Sequence, residues 1–100
     1  MPAFGTVVAH ALGQSQALDR LKGFVQEVRD QYGDQVSDAQ GDWTDNVLDF
    51  SLTTLGMTIR GTLTVDEEAA HVKGHLPLAA AFFRGQIERQ IADELQKALG

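Results

Sequence analysis

His71 and His75 are the first residues in this chain to weigh as chemistry-bearing. Imidazole ligates metals and transfers protons near neutral pH. They stand four residues apart in an alternating segment, which places both on one face of a strand. Four residues of strand span about 13 Å, too far for one ion to bridge unaided. His10 is a third histidine that could approach from a neighbouring strand. The chain has neither cysteine nor a His-Glu-x-x-His motif, so no metal and no cofactor are expected, and the histidines read as polar residues of a solvated sheet face. A small hydrolase built on His71 or His75 is a third-ranked reading, which needs a carboxylate and a nucleophile within reach.

Asp42, Asp45 and Asp49 flank the turn after Trp43. Paired carboxylates act as acid and base when their surroundings separate their pKa values. Asp and Asn also populate turns simply because their side chains bond the local backbone. The spacing lacks the glycine and terminal Glu of a calcium loop. Ser15, Ser37 and Ser51 have no Gly-x-Ser-x-Gly context, and no glycine-rich phosphate loop is present. No catalytic residue is therefore assigned, and the protein is expected not to be an enzyme.

Two other features point to binding. Gly61 and Gly74 occupy apolar-face positions of adjacent strands, where glycine weakens a sheet unless something packs close. They make room either for an aromatic such as Trp43 or for a close helix. Alternatively, Gly61, Gly74 and Trp43 floor a small apolar pocket between the sheet and the C-terminal helix. The second feature is Phe82. On a helix at about 100° per residue, Phe83, Ile87, Ile91 and Leu95 share one side. Phe82 then falls nearly opposite, beside Gln86 and Arg89. An exposed Phe there marks a contact site formed by Phe82, Gln86 and Arg89, unless the helix begins after Phe82 and the ring staples inward.

These residues need elements to position them. Ala3–Ala9 reads as a first strand. Ser15 reads as a helix N-cap, and Leu18, Leu21, Val25, Val28 and Tyr32 form a single stripe at helical spacing that Gly33 ends. A weaker strand runs from Val36 to Trp43, followed by a turn at Thr44-Asp45-Asn46. Leu48, Phe50 and Leu52 alternate with polar residues, and Met57 to Val65 alternates more clearly still. Ala70 to Leu76 is the last strand, stopped by Pro77, and a helix carrying Phe83, Ile87, Ile91, Leu95 and Leu99 follows. The order is β-α-β-β-β-β-α. Short connections make the meander antiparallel, and its single apolar face should hold both helices. The predicted core joins Leu21, Val25 and Val28 to Ile87, Ile91, Leu95, Phe50, Ile59 and Leu63.

The 100 residues suit one domain, 1–100, and 43% apolar content suits a packed core. A formal charge of −6, with no run of Lys or Arg, argues against nucleic acid as a partner. No stretch is apolar enough for a membrane span, and Met1-Pro-Ala-Phe-Gly5 lacks the pattern of a signal peptide. The expectation is a soluble, cytoplasmic protein.

His10-Ala-Leu-Gly13, Tyr32-Gly33, Gly41-Asp42-Trp43, Leu48-Asp-Phe50, Gly61-Thr-Leu-Thr-Val65, Leu76-Pro77 and Gly85-Gln-Ile87-Glu88 stand in an order that resembles the polyhydroxyalkanoic acid system protein family. The likeness covers nearly the full chain. It implies a bacterial, granule-associated accessory protein acting near polyester (polyhydroxyalkanoate) storage, in contact with a granule surface or granule protein, while the Phe82 patch itself would equally serve a homodimer. It brings no catalytic residues. The architecture also resembles a shortened helix-grip domain, which implies a small apolar-ligand pocket as the alternative function.

Overall fold

A computed structural model of the chain describes residues 2–32, 38–54 and 56–100. Strand β1 (Ala3–Ala9) leads to helix α1 (Gln14–Tyr32). Four strands follow: β2 (Asp38–Thr44), β3 (Val47–Thr54), β4 (Met57–Val65) and β5 (Ala69–His75). A 3-10 segment (Leu78–Phe83) then runs into helix α2 (Arg84–Leu99). The sheet order is β1-β5-β4-β3-β2, antiparallel throughout. This is the α+β arrangement that the alternating segments predict. The meander from β2 to β5 needs only tight connections, whereas β1 and β2 lie on opposite edges and α1 carries the chain between them.

The tight connections follow from backbone chemistry. Asp45 takes a positive φ of 53°, a region that Asp tolerates better than most residues, and Gly56 takes 76°. Asn46 stitches its hairpin to the end of β4. Its side-chain amide donates to the Val65 carbonyl at 2.9 Å, and its own carbonyl accepts from the Val65 amide at 2.9 Å. The Gln14 side chain donates to the same Val65 carbonyl at 3.0 Å and so anchors the start of α1 there.

Helix α1 begins two residues earlier than a Ser15 cap requires. The Gly13 carbonyl accepts from the Ala17 amide at 3.0 Å, while Gly13 itself adopts φ 79°. Ser15 lies within the first turn and is exposed. Gly33, Val36 and Ser37 lie outside the described residues.

Cross-strand register sorts the side chains into two faces. Thr6, Val72, Leu63, Leu48 and Trp43 form one row on the helix side. Gly5, Lys73, Thr62, Asp49 and Asp42 form the next row, on the other side. Helix α2 packs mainly on β1, and α1 packs on α2 and β4. Burial is therefore deepest around Leu21, Val65, Leu76 and Ala17, at the β1–β5–β4 end.

Of the predicted core, Leu21, Leu63 and Leu95 are buried, while Val25, Phe50, Ile59, Ile87 and Ile91 are half-buried and packed against them. Val28 is half-buried and outside the cluster. Phe4, Leu76 and Leu99 complete the centre instead.

Each sheet edge meets a charged side chain from a helix. Glu88 of α2 accepts from the free edge amide of Gly5 at 2.8 Å. Arg29 of α1 donates to the edge carbonyl of Gly41 at 3.1 Å. Both contacts obstruct edge-to-edge strand pairing.

Candidate functional site

Gly61 and Gly74 are direct cross-strand partners at the middle of the sheet. Phe4 is paired with Gly74 on one side and Phe50 with Gly61 on the other. A Cβ on Gly74 would lie 2.6 Å from Phe4 Cε1 and would strike the Arg60 carbonyl; one on Gly61 would lie 2.7 Å from Phe50 Cζ and 2.6 Å from the Lys73 carbonyl. The helix-side space above both glycines is thus taken by two phenyl rings, an arrangement in which aromatics restore the packing that glycine lacks. The expectation that an aromatic fills this space holds for Phe4 and Phe50. Trp43 sits one row away, half-buried, with the Lys22 ammonium 5.6 Å from its ring centroid.

The same glycine pair borders an open depression of about 690 Å³, together with Asp42, Asp49, Arg60, Thr62, Lys73 and His75. By register these six side chains share the face turned away from both helices. The hollow is therefore rimmed by polar and charged side chains, and it does not lie between the sheet and α2. Arg60 stands directly opposite His75, and Asp42 directly opposite Asp49. The third Asp singled out by the sequence, Asp45, occupies the hairpin tip.

The histidines are dispersed. His71 Nε2 is 3.0 Å from Asp66 Oδ2 in a partly exposed contact. His10 donates from Nε2 to the Asp66 carbonyl at 3.0 Å, and its Nδ1 accepts from the Leu12 amide at 3.2 Å. That pattern assigns the neutral Nε2–H tautomer and occupies both ring nitrogens. No group of three potential metal ligands exists among the described residues. His71 meets a carboxylate, but among the described residues it bonds to no hydroxyl that could serve as a nucleophile.

A second surface lies where the chain enters α2. Pro77 accepts from the Ala80 amide at 2.9 Å and starts the 3-10 segment. A 3-10 turn advances about 120° per residue rather than 100°, so the helical stripe loses phase before Arg84. Phe83, expected in the core stripe, is consequently 56% exposed. Phe82 is 96% exposed and Leu78 79%. The regular helix does begin after Phe82, yet the ring does not turn inward. Gln86 and Arg89 follow on exposed positions of α2, with Arg89 Nε directed to the Gly85 carbonyl at 3.4 Å. The wheel placed Phe82 correctly; what it missed was the company of Leu78 and Phe83, because it assumed α periodicity through the whole segment.

The sequence model of the family described as "Putative polyhydroxyalkanoic acid system protein" matches residues 7–99. The chain belongs to that family. The match takes in every element from the middle of β1 to the end of α2. No curated protein and no solved structure matches the chain. No helix among the described residues is long and apolar enough to cross a membrane.

Proposed function

We propose that this protein is a non-enzymatic accessory protein of polyhydroxyalkanoate storage granules in the cytoplasm, docking on the granule through Leu78, Phe82 and Phe83. The observation that carries the reading is Phe82, 96% exposed beside two further exposed apolar side chains within six residues. Burying a Phe ring is worth roughly 1.5–3 kcal/mol, so three such side chains held in water favour an apolar surface that can cover them. Membership of a polyhydroxyalkanoic acid system family supports a polyester as that surface. Gln86 and Arg89 would form the polar margin of the contact. The obstructed strand edges direct association to this patch and away from β-pairing.

The test compares wild type with Phe82→Ser by co-pelleting with isolated polyester granules and by sedimentation velocity. Phe82→Ser is expected to stay folded and to lose most of its granule-bound fraction. Equal pelleting of the two proteins would refute the reading. A wild-type homodimer that Phe82→Ser dissociates, with unchanged pelleting, would reassign the patch to self-association.

A further inference from the structure

The helix-free face carries charges that the granule reading does not use. Of the eight Lys and Arg residues in the chain, only Arg60 and Lys73 lie outside the helices. Both border the central depression, and His75 joins them. Arg60 and His75 are direct partners across β4 and β5, so their Cβ atoms stand about 4.5–5.5 Å apart, and Lys73 is on the diagonal at about 7–8 Å. Among the described residues, no ion pair or hydrogen bond engages the side chain of any of the three. Arg60 and Lys73, alike in charge, repel at this spacing; Asp49 of β3 stands on the other diagonal from Arg60, also at about 7–8 Å, yet the two form no ion pair. On the adjoining strands β3 and β2, Asp49 and Asp42 form the opposite imbalance: two carboxylates in direct register on the same face of the same hollow. Lys73 and Asp49 flank Thr62 in one row, separated by two strand spacings, or about 9–10 Å.

We propose that this depression binds a small carboxylate ligand whose distal end donates hydrogen bonds. The ligand's carboxylate lies against Arg60, Lys73 and His75, where a guanidinium fork offers two parallel N–H donors. Its distal hydroxyl or ammonium donates to Asp49 and Asp42. One molecule bound this way relieves both repulsions at once. The central row Phe4-Gly74-Gly61-Phe50 directs its side chains to the helix side, so the floor of the hollow is backbone, and the about 690 Å³ of open space admits a four-carbon acid. The site is on the face opposite the helices and stands independently of the granule-docking reading.

The test is a chemical-shift titration of the intact ¹⁵N-labelled protein with 4-aminobutyrate, 4-hydroxybutyrate and butyrate, against sodium chloride at matched ionic strength. The two donor-bearing acids are expected to shift the Arg60, Thr62, Lys73 and His75 amides saturably and to bind more tightly than butyrate. Arg60→Gln and Lys73→Gln should each weaken binding at least about fivefold, and Asp49→Asn should abolish the preference over butyrate. All three side chains are exposed, and circular dichroism checks that each variant folds; should one fail, the other cationic variant carries the test. Non-saturating shifts equal to those of sodium chloride would overturn the proposal, as would unweakened binding in both cationic variants. A preference that survives Asp49→Asn would overturn the acidic half of the site. Phe82→Ser should bind these acids as wild type does, so failure of either reading is distinguishable from failure of the other.

Discussion

Replacing Gly74 by alanine is the sharpest test of how the sheet is built. The added Cβ would lie 2.6 Å from Cε1 and 2.8 Å from Cζ of Phe4, and it would also press on the backbone carbonyl of Arg60. Phe4 is only 5% exposed, so its ring has little room to retreat. The carbonyl is fixed by the β4–β5 ladder. Overpacking a filled site costs typically 1–3 kcal/mol, and a clash with both a buried ring and rigid backbone belongs at the upper end, about 3 kcal/mol. In urea, with a slope of about 1.5 kcal/mol/M for a domain of this size, the unfolding midpoint should fall by about 2 M. Gly23→Ala is the internal control. Gly23 is exposed within α1, and a Cβ there meets nothing within 4 Å. Alanine should raise stability by roughly 0.5–1 kcal/mol through helix propensity and the lower entropy of the unfolded chain. Shortening the ring in Gly74→Ala/Phe4→Leu should recover part of the loss but not all, because the carbonyl contact persists. A cost below about 0.5 kcal/mol for Gly74→Ala would refute the reasoning, since Phe4 could not then occupy the space that the glycine leaves.

Leu21→Ala, at a fully buried position, should cost about 2–5 kcal/mol in urea unfolding, and Ile91→Ala should cost less because Ile91 only half-enters the core; the reverse order would displace the core towards the middle of α2. Zinc titration should give no stoichiometric tight site, since both nitrogens of His10 are engaged and His71 is turned to Asp66; one zinc per chain, lost in His71→Ala, would contradict this. Asp66→Asn should change stability by less than about 1 kcal/mol, and by less still in high salt, because the pair with His71 is partly exposed. A loss of several kcal/mol, independent of salt, would show that the pair is structural.

Much of this protein is legible in the order of its residues. Alternation along β3, β4 and β5 reports burial of one sheet face, and the 3- and 4-residue steps in α1 report a helix with one apolar stripe. Short polar connections then leave only an antiparallel meander. Local periodicity is enough for these because each element buries one side of itself. Tertiary structure decided the rest. The placement of β1 beside β5 brought Phe4 over Gly74, a contact between residues 70 positions apart that no local pattern encodes. It also set where the core is deepest, because α2 lies along β1 while β2 and β3 stay half-covered. The 3-10 segment exposed Phe83, since a change in pitch moves a side chain around the helix axis without any change in spacing. Register alone set Arg60 opposite His75 and Asp42 opposite Asp49. Cross-strand neighbours are chosen by the pairing of whole strands, so charges that lie scattered along the chain become two opposed clusters only when the sheet has formed.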